Sequence, residues 1–525
     1  MTWENYRTWI SSRKVYMRCR LIPKIIASLV MVVILGQCGD KGTGGKDNTP
    51  PATIADLSVE SAADSSITLI WTAPGDDQTT GTAALYDLRY TPVELTVAAW
   101  DSAVQVLDEL APQIAGTAER FTVDSLIPAS TYWFALKTAD DQGNWSAISN
   151  TVSGSTTQST PDTWEKTYGT TESDGGKCVM PVDDGFVIAG WTRDTESGDE
   201  DFYLFKVNIS GEKIWENRFG GSKVDYAWSV QATPDGGLAI AGLTYSFGAG
   251  RSDVYFIYTD ATGQSTGEYT FGGSDSEEAF SMVPAGDGGF ILAGYTKSSG
   301  AGQQDVYLLK VNAAGSAVWQ KQYGGTEHDA AHAICATHDG GYVVVGETRS
   351  FGAGDRDVYL IKVTATGDSL WSRTFGGVQN DIGYAVFVDS YGAIFIAGAT
   401  ESSGAGEYDA FLLQCDSEGD SLAATVRGGA GIDYALALAP AGDGGYVLAG
   451  YTSSFGAGGD DVYFLKVDMS GFVQWEKTFG GRWDDRAAWI AATSDGGYIV
   501  TGWTKSSGAG SGDVLLIKTD ADGEL

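Results

Sequence analysis

WQKQYGGTEHDAAHAICATHDGGYVVVGETRSFGAGDRDVYLIKVTATGDSL, residues 319–370, is one copy of a unit that fills the chain from Trp164 onward. Seven copies begin at Trp164, Trp215, Gly267, Trp319, Trp371, Ala423 and Trp475, with one step of 51 residues and then five of 52. Within the quoted copy four strand-like runs are bounded by Gly or Asp turns: Ala330–Thr337, Tyr342–Thr348, Asp357–Thr364 and Leu370–Phe375. Asp339-Gly340-Gly341 joins the first two as a hairpin turn, where glycine takes positive φ without a Cβ clash. Ser350-Phe351-Gly352-Ala353-Gly354 is a longer second link. Thr364-Ala365-Thr366-Gly367 has the polar start and late glycine of a turn with a bulge. No stretch sustains helical periodicity, which disfavours a helical solenoid.

Four antiparallel strands per unit, repeated at a fixed period, predict a β-propeller with one blade per unit. The array starts inside a blade: Trp164–Tyr168 matches a fourth strand, and Asp513–Thr519 at the other end matches a third. Pairing these two segments removes two raw sheet edges. The expected fold is therefore all-β, with a closed seven-bladed propeller over 164–525 and strand-exchange ring closure. A tryptophan opens the outer strand four residues after a turn glycine, as in Gly315 to Trp319 and Gly367 to Trp371. It is expected to be a buried ring packed on a neighbouring turn or blade. Gly267 and Ala423 stand in its place in two copies and predict two weak seams. The DxxGxxxW spacing resembles the docking motif of pyrroloquinoline-quinone-type propeller repeats, which implies outer-strand geometry and nothing about the cofactor. As whole units, FGG…D…DGGY…AGYT…GAG..DVYL.K resembles the repeats of secreted and surface-anchored bacterial propeller proteins. That resemblance implies fold and compartment rather than activity.

Residues 51–155 have less glycine, no cysteine, and strand-like runs at Ser66–Thr72, Leu85–Thr91 and Thr131–Thr138. Leu126-Ile127-Pro128-Ala129-Ser130-Thr131-Tyr132 resembles the LxPxTxY corner of fibronectin type III domains, with Ser130 where Thr is usual. Trp71 on the second strand and Asn144-Trp145-Ser146 before the last strand belong to the same resemblance, which covers the block. It implies a two-sheet sandwich without a core disulfide, serving as a spacer or as a binding module. Residues 156–163 form a short polar linker to the array.

Arg7, Arg13, Lys14, Arg18, Arg20 and Lys24 precede Ile25–Gly36, an apolar run of 12 residues. That run is too short to span a bilayer and suits the core of an export signal over 1–38. Leu35-Gly36-Gln37-Cys38, followed by a flexible tether over 39–50, resembles a bacterial lipoprotein box. The resemblance implies lipidation at Cys38, a cell-envelope location and membrane contact through a lipid anchor only. Gln37 departs from the small residue usual before the modified cysteine, which leaves simple secretion as the alternative.

The formal charge is −35, and the signal region is its basic part. Such a surface repels nucleic acid and anionic lipid, and no basic patch interleaves with aromatics, so nucleic acid is excluded as a partner. Cys178, Cys335 and Cys415 lie in different copies and make no disulfide framework. His328, His332 and His338 all fall in one copy. On an extended strand His328 and His332 stand about 13 Å apart, too far to share one ion, so no metal site is assigned.

Asp174, Asp225, Asp329, Asp381, Asp433 and Asp485 recur just after the FGG turn, with Glu277 in the remaining copy. A second Asp opens each third strand, Asp201 and Asp253 being the first two, and chain direction sets both series near one rim. These carboxylates either accept N–H bonds from Gly-rich loops or form an acidic rim for Ca²⁺ or a cationic partner. No Asp-x-Asp-x-Asp-Gly loop accompanies them, so the expectation is no cofactor, with Ca²⁺ the one alternative. Three residues after the rim carboxylate, Trp228, Phe280, His332, Tyr384 and Leu436 occupy one inner-strand position. Aromatic variation there suits sugar or peptide contact, and packing accounts for it equally well. No GxSxG, HExxH or Walker loop is present, so no catalytic residue is assigned. The expected function is non-enzymatic: an exported binding or scaffold protein that displays a propeller to an envelope or extracellular protein or glycan. The alternative is an extracellular polysaccharide-acting, glycoside-hydrolase-like enzyme using rim carboxylates.

Overall fold

The computed structural model describes residues 48–63, 65–106, 110–124, 126–127, 129–157, 162–193 and 198–525. The expected export signal with Cys38, most of the expected tether and the middle of the linker lie outside the described residues. The chain divides into two compact units between residues 158 and 159.

Among the described residues the first unit has seven strands: β1 (Ser58–Ala62), β2 (Ile67–Thr72), β3 (Leu85–Thr91), β4 (Val104–Gln105), β5 (Ala118–Val123), β6 (Thr131–Ala139) and β7 (Val152–Ser155). They form a three-stranded sheet, β1-β2-β5, and a four-stranded sheet, β4-β3-β6-β7. Alternation along β2 and β3 turns Ile67, Leu69 and Trp71, and Tyr86 and Leu88, into one core. Trp71 meets Tyr86 edge-on at 5.3 Å between ring centroids. The Tyr132 hydroxyl accepts a 2.9 Å hydrogen bond from the Ile127 N–H, which ties the corner that the sequence marks.

The second unit consists, among the described residues, of seven four-stranded antiparallel sheets. In the quoted repeat the strands are Asp329–Ala336, Tyr342–Thr348, Asp357–Val363 and Ser369–Phe375. The second and third are buried along almost their whole length, because sheets cover both of their faces; they therefore read as continuous Val, Ile, Leu and Tyr. The fourth strand is partly exposed throughout. Each core lies between consecutive sheets, as where Ala239, Ala241 and Phe256 meet Phe290, Leu292 and Leu309. The last sheet takes its fourth strand from the other end of the unit: β8 (Trp164–Tyr168) pairs antiparallel with Asp513–Thr519, Tyr168 opposite Val514 and Trp164 opposite Lys518. Val179, Ile188 and Phe205 of the first sheet share a core with Ile499 and Leu516 of the seventh.

The outer-strand tryptophans pack on a neighbouring turn, each on the turn glycine of the following sheet, but they are half-buried rather than buried. Trp319 covers Gly367 at φ +77°, where an added Cβ would stand 2.9 Å from the ring. Trp215 covers Gly263, and Trp371 covers Gly419, in the same way. The two copies without the tryptophan are not bare seams. Tyr269, two residues beyond Gly267 on the same face, lies over Gly315. In the Ala423 copy the Thr425 hydroxyl donates to the Gly471 carbonyl at 2.8 Å. Beside Tyr269 a cleft of about 380 Å³ remains.

Five third strands carry a lysine that reaches the aspartate of the neighbouring Asp-Gly turn. The pairs are Lys206–Asp184, Lys310–Asp287, Lys362–Asp339, Lys466–Asp443 and Lys518–Asp495, at 2.6–2.9 Å. The hydrogen bond from Lys466 holds the Asp443 carboxyl below its ordinary range. Cys178, Cys335 and Cys415 are free; burial pushes the Cys178 and Cys415 thiols up to about 12.

Candidate functional site

The inner strands share a local irregularity beyond what was expected from the sequence. In the strand Asp225–Ala232 the pairing register shifts between Ala227 and Ser229, leaving Trp228 as a bulged residue. Phe280, His332, Tyr384 and Leu436 are bulged in the same way in the next four sheets. In the first sheet the bulged residue is Lys177, within β9 (Asp174–Val182), and in the seventh it is Ala488. A bulge needs backbone to approach the paired strand closely, and a glycine of that strand gives the room. A Cβ on Gly346 would stand 1.9 Å from the Ala330 carbonyl oxygen, and one on Gly242 1.8 Å from that of Tyr226. The signal was present as the glycine in each AGxT-type second strand, Gly242, Gly294 and Gly450 among them.

Because neighbouring inner strands place the bulge at one level, the candidate contact residues meet side by side. Ring centroids lie 5.3 Å apart for Trp228 and Phe280, 5.6 Å for Phe280 and His332, and 5.1 Å for His332 and Tyr384. Tyr384 continues the arc to Tyr434 at 5.7 Å. All four candidate side chains are half-buried, so part of each ring stays open. At the start of the arc the Lys177 ammonium stands 4.5 Å from the centroid of the Trp228 ring. Burial, with the like charge of Arg486, brings the Lys177 amine down to about 8. Burial also lowers the His332 imidazole from its ordinary value, which favours the neutral ring.

Toward the FGG rim the belt widens into further aromatic and charged groups. Tyr434 stacks on Tyr451 at 5.0 Å, and the Arg486 guanidinium lies 4.3 Å over Tyr451. Arg486 Nε donates to Asp460 at 2.7 Å. Trp191 meets Tyr226 edge-on at 5.6 Å, and the Tyr295 hydroxyl donates to Glu278 at 2.6 Å.

The rim carboxylates Asp174, Asp225, Asp329, Asp381, Asp433 and Asp485 are buried. Asp225 accepts from the Gly221 N–H at 2.9 Å and from the Ser246 hydroxyl at 2.8 Å. Asp329, Asp381 and Asp433 each accept from the equivalent glycine N–H and serine hydroxyl, at 2.6–2.8 Å. Asp485 accepts from the Gly481 N–H at 2.7 Å and Asp174 from the Thr170 N–H at 2.6 Å. The third-strand aspartates face them from the preceding sheet: a Cβ on Gly324 would touch Asp305 and Asp329 at 2.5 Å each. Burial, then the facing carboxylate of Asp381, raises the Asp357 carboxyl, while the Gly354 N–H works against the rise. The three histidines are dispersed. His328 precedes its strand, His332 sits in the belt, and His338 Nε2 lies 2.9 Å from the Asp389 carbonyl in the next sheet. Among the described residues no three His, Cys, Asp or Glu side chains converge to hold a metal.

Residues 49–154 match the fibronectin type III domain family. The regulatory protein FlaEY of Caulobacter vibrioides is 24% identical over 140 residues, 23% of this chain and 15% of its own length, so the match spans a small part of that relative. Among solved structures, the Neurospora crassa Pan2 WD40 domain is 9% identical, with 66% of this chain and 89% of that one covered and a TM-score of 0.42. Puromycin hydrolase is 16% identical, with 64% and 51% covered and a TM-score of 0.43. The propeller domain of the Pyrococcus furiosus Trilobed protease is 9% identical, with 67% and 96% covered and a TM-score of 0.37. The chain thus carries a fibronectin type III domain and a β-propeller-like domain of many strands.

Proposed function

We propose that this is a non-enzymatic, exported display protein, in which a fibronectin type III domain carries a closed seven-bladed propeller whose axial belt recognises a glycan or a protein. The observation that carries the reading is the arc from Trp228 through Phe280 and His332 to Tyr384, built from four different sheets and only partly covered. Aromatic faces held side by side offer apolar area at low conformational cost, the usual means of gripping sugar rings or peptide side chains. Closure is supported by β8 completing the seventh sheet and by the core shared between the seventh sheet and the first. The binding reading is favoured over hydrolysis because the rim carboxylates are engaged by loop N–H and hydroxyl donors. Ca²⁺ at that rim is not needed to answer their charge.

Purified protein incubated with polysaccharides, followed by pull-down and mass analysis of the products, tests the reading. Retention without a change in mass supports it, and turnover would make the chain an enzyme. For location we propose the cell envelope through lipidation at Cys38, with secretion as the alternative. If Cys38→Ser leaves membrane association unchanged in fractionated cells, the anchor is elsewhere or absent.

A further inference from the structure

The bulge positions are alike in backbone and not in charge, and the one ammonium among them is that of Lys177. The other lysines directed into sheet cores are answered by carboxylates, as Lys362 is by Asp339 and Lys518 by Asp495. Lys177 is different: among the described residues no carboxylate pairs with it, and its near neighbours are the Trp228 ring and the positive Arg486. Arg486 has its own partner in Asp460, so that carboxylate is already engaged. The same corner holds an orphaned donor, since the buried Trp228 Nε1–H has no acceptor. On the side away from Trp228 the bulged residue is Ala488, the smallest of the belt. A desolvated cation and an indole N–H without acceptors, beside a small residue, form a corner that favours an anion.

We propose that Lys177 is the anchor for a single carboxylate on the ligand, so that the belt takes a carboxylate-bearing sugar, a uronate residue, with its ring laid on the aromatic arc. The inference rests on the reading of the belt as the binding surface. The number of carboxylates follows from charge. A chain with a net charge of −35 repels a polyanion, whereas the positive corner acts within about 8 Å at physiological salt. One carboxylate reaches Lys177 with the rest of the ligand neutral. An anion there also raises the amine back toward its ordinary value, so binding takes up protons near pH 8.

The test is calorimetric titration of the full chain with a glucuronate-terminated disaccharide and with its neutral glucose-terminated counterpart. Two variants, Lys177→Met and Lys177→Arg, and a peptide with a free or an amidated C-terminus complete the set. The wild type is expected to prefer the acidic sugar by roughly tenfold or more, the scale of one charge-assisted hydrogen bond. Lys177→Met should bring the two sugars to near equality, and Lys177→Arg should keep most of the preference. Equal binding of both sugars by the wild type, or a preference that survives in Lys177→Met, overturns the anchor and leaves the belt reading standing. Binding of neither sugar and of neither peptide overturns both. Capture of the peptide alone, lost on amidation and in Lys177→Met, moves the anchor to a chain terminus and overturns the sugar assignment.

Discussion

Lys518 is almost fully buried, and Asp495 at 2.7 Å is the carboxylate that answers it. Burial acts to raise the Asp495 carboxyl, but the hydrogen bonds from Lys518 and Thr493 outweigh it and hold the group below its ordinary range. Asp495→Ala leaves a buried ammonium without its partner and is expected to lower stability by about 1–3 kcal/mol in denaturant unfolding. The pH dependence follows from the same pairs. Asp184, Asp287, Asp339, Asp443 and Asp495 are all depressed in the folded chain, each with a lysine hydrogen bond among the causes. Below about pH 4 the unfolded chain therefore binds more protons, and the stability these groups contribute is lost as pH falls. Asp253, Asp357 and Asp461 are raised, chiefly by burial, and have the opposite sign: they cost stability at neutral pH and return it as they protonate in the folded chain. The melting temperature is thus expected to hold or rise slightly on acidification to about pH 4 and to drop below it. In Asp443→Ala/Asp495→Ala that lower drop should be shallower.

At the scale of the element, the outer strand and the turn of the next sheet act as one fastening. Trp319 over Gly367 is half-buried, so Trp319→Ala is expected to cost about 1–2 kcal/mol rather than the 3–5 of a fully buried ring. Tyr269→Ala should cost a similar amount, because Tyr269 fills the same place over Gly315. Thermal melting of the two variants side by side checks both. The strands themselves were legible: Tyr342–Thr348 is read from its apolar run between Asp-Gly and Gly-Ala-Gly turns, and the structure has the same bounds. The fastening was legible as packing on a neighbouring turn or blade, but its partner was not, because the glycine that Trp319 covers lies in the following copy while a glycine four residues before it offered a local partner. The bulges at Trp228 and Tyr384 were missed for a related reason. Register belongs to the pairing of two strands, and only the glycine in the paired strand marks it in the sequence. Which residues share a position was nonetheless readable from the repeat, and so the arc from Trp228 to Tyr384 was anticipated in membership though not in mutual contact. At the same scale, deletion of β8 exposes the edge of Asp513–Thr519. A lower melting temperature and concentration-dependent association in light scattering are expected, the behaviour of an uncovered edge strand.

At the scale of the whole molecule, the seven sheets of the second unit repeat one another in their cores and differ at the bulge positions. Val, Ile, Leu and Tyr recur in second and third strands, as the packing between sheets requires, whereas the belt runs from Lys177 through four aromatic rings to Leu436 and Ala488. A scaffold explains the sameness, and the recognition we propose would explain the variation. The most direct measurement is therefore a glycan array probed with the wild-type chain and with a Phe280→Ala/Tyr384→Ala variant whose melting transition shows it folded. The account predicts that the wild type retains a defined set of glycans and that the variant loses them by tenfold or more, the effect of removing two stacking faces at roughly 1 kcal/mol or more each. Retention that is unchanged in the variant would contradict it, because the ligand would then be held somewhere other than the belt.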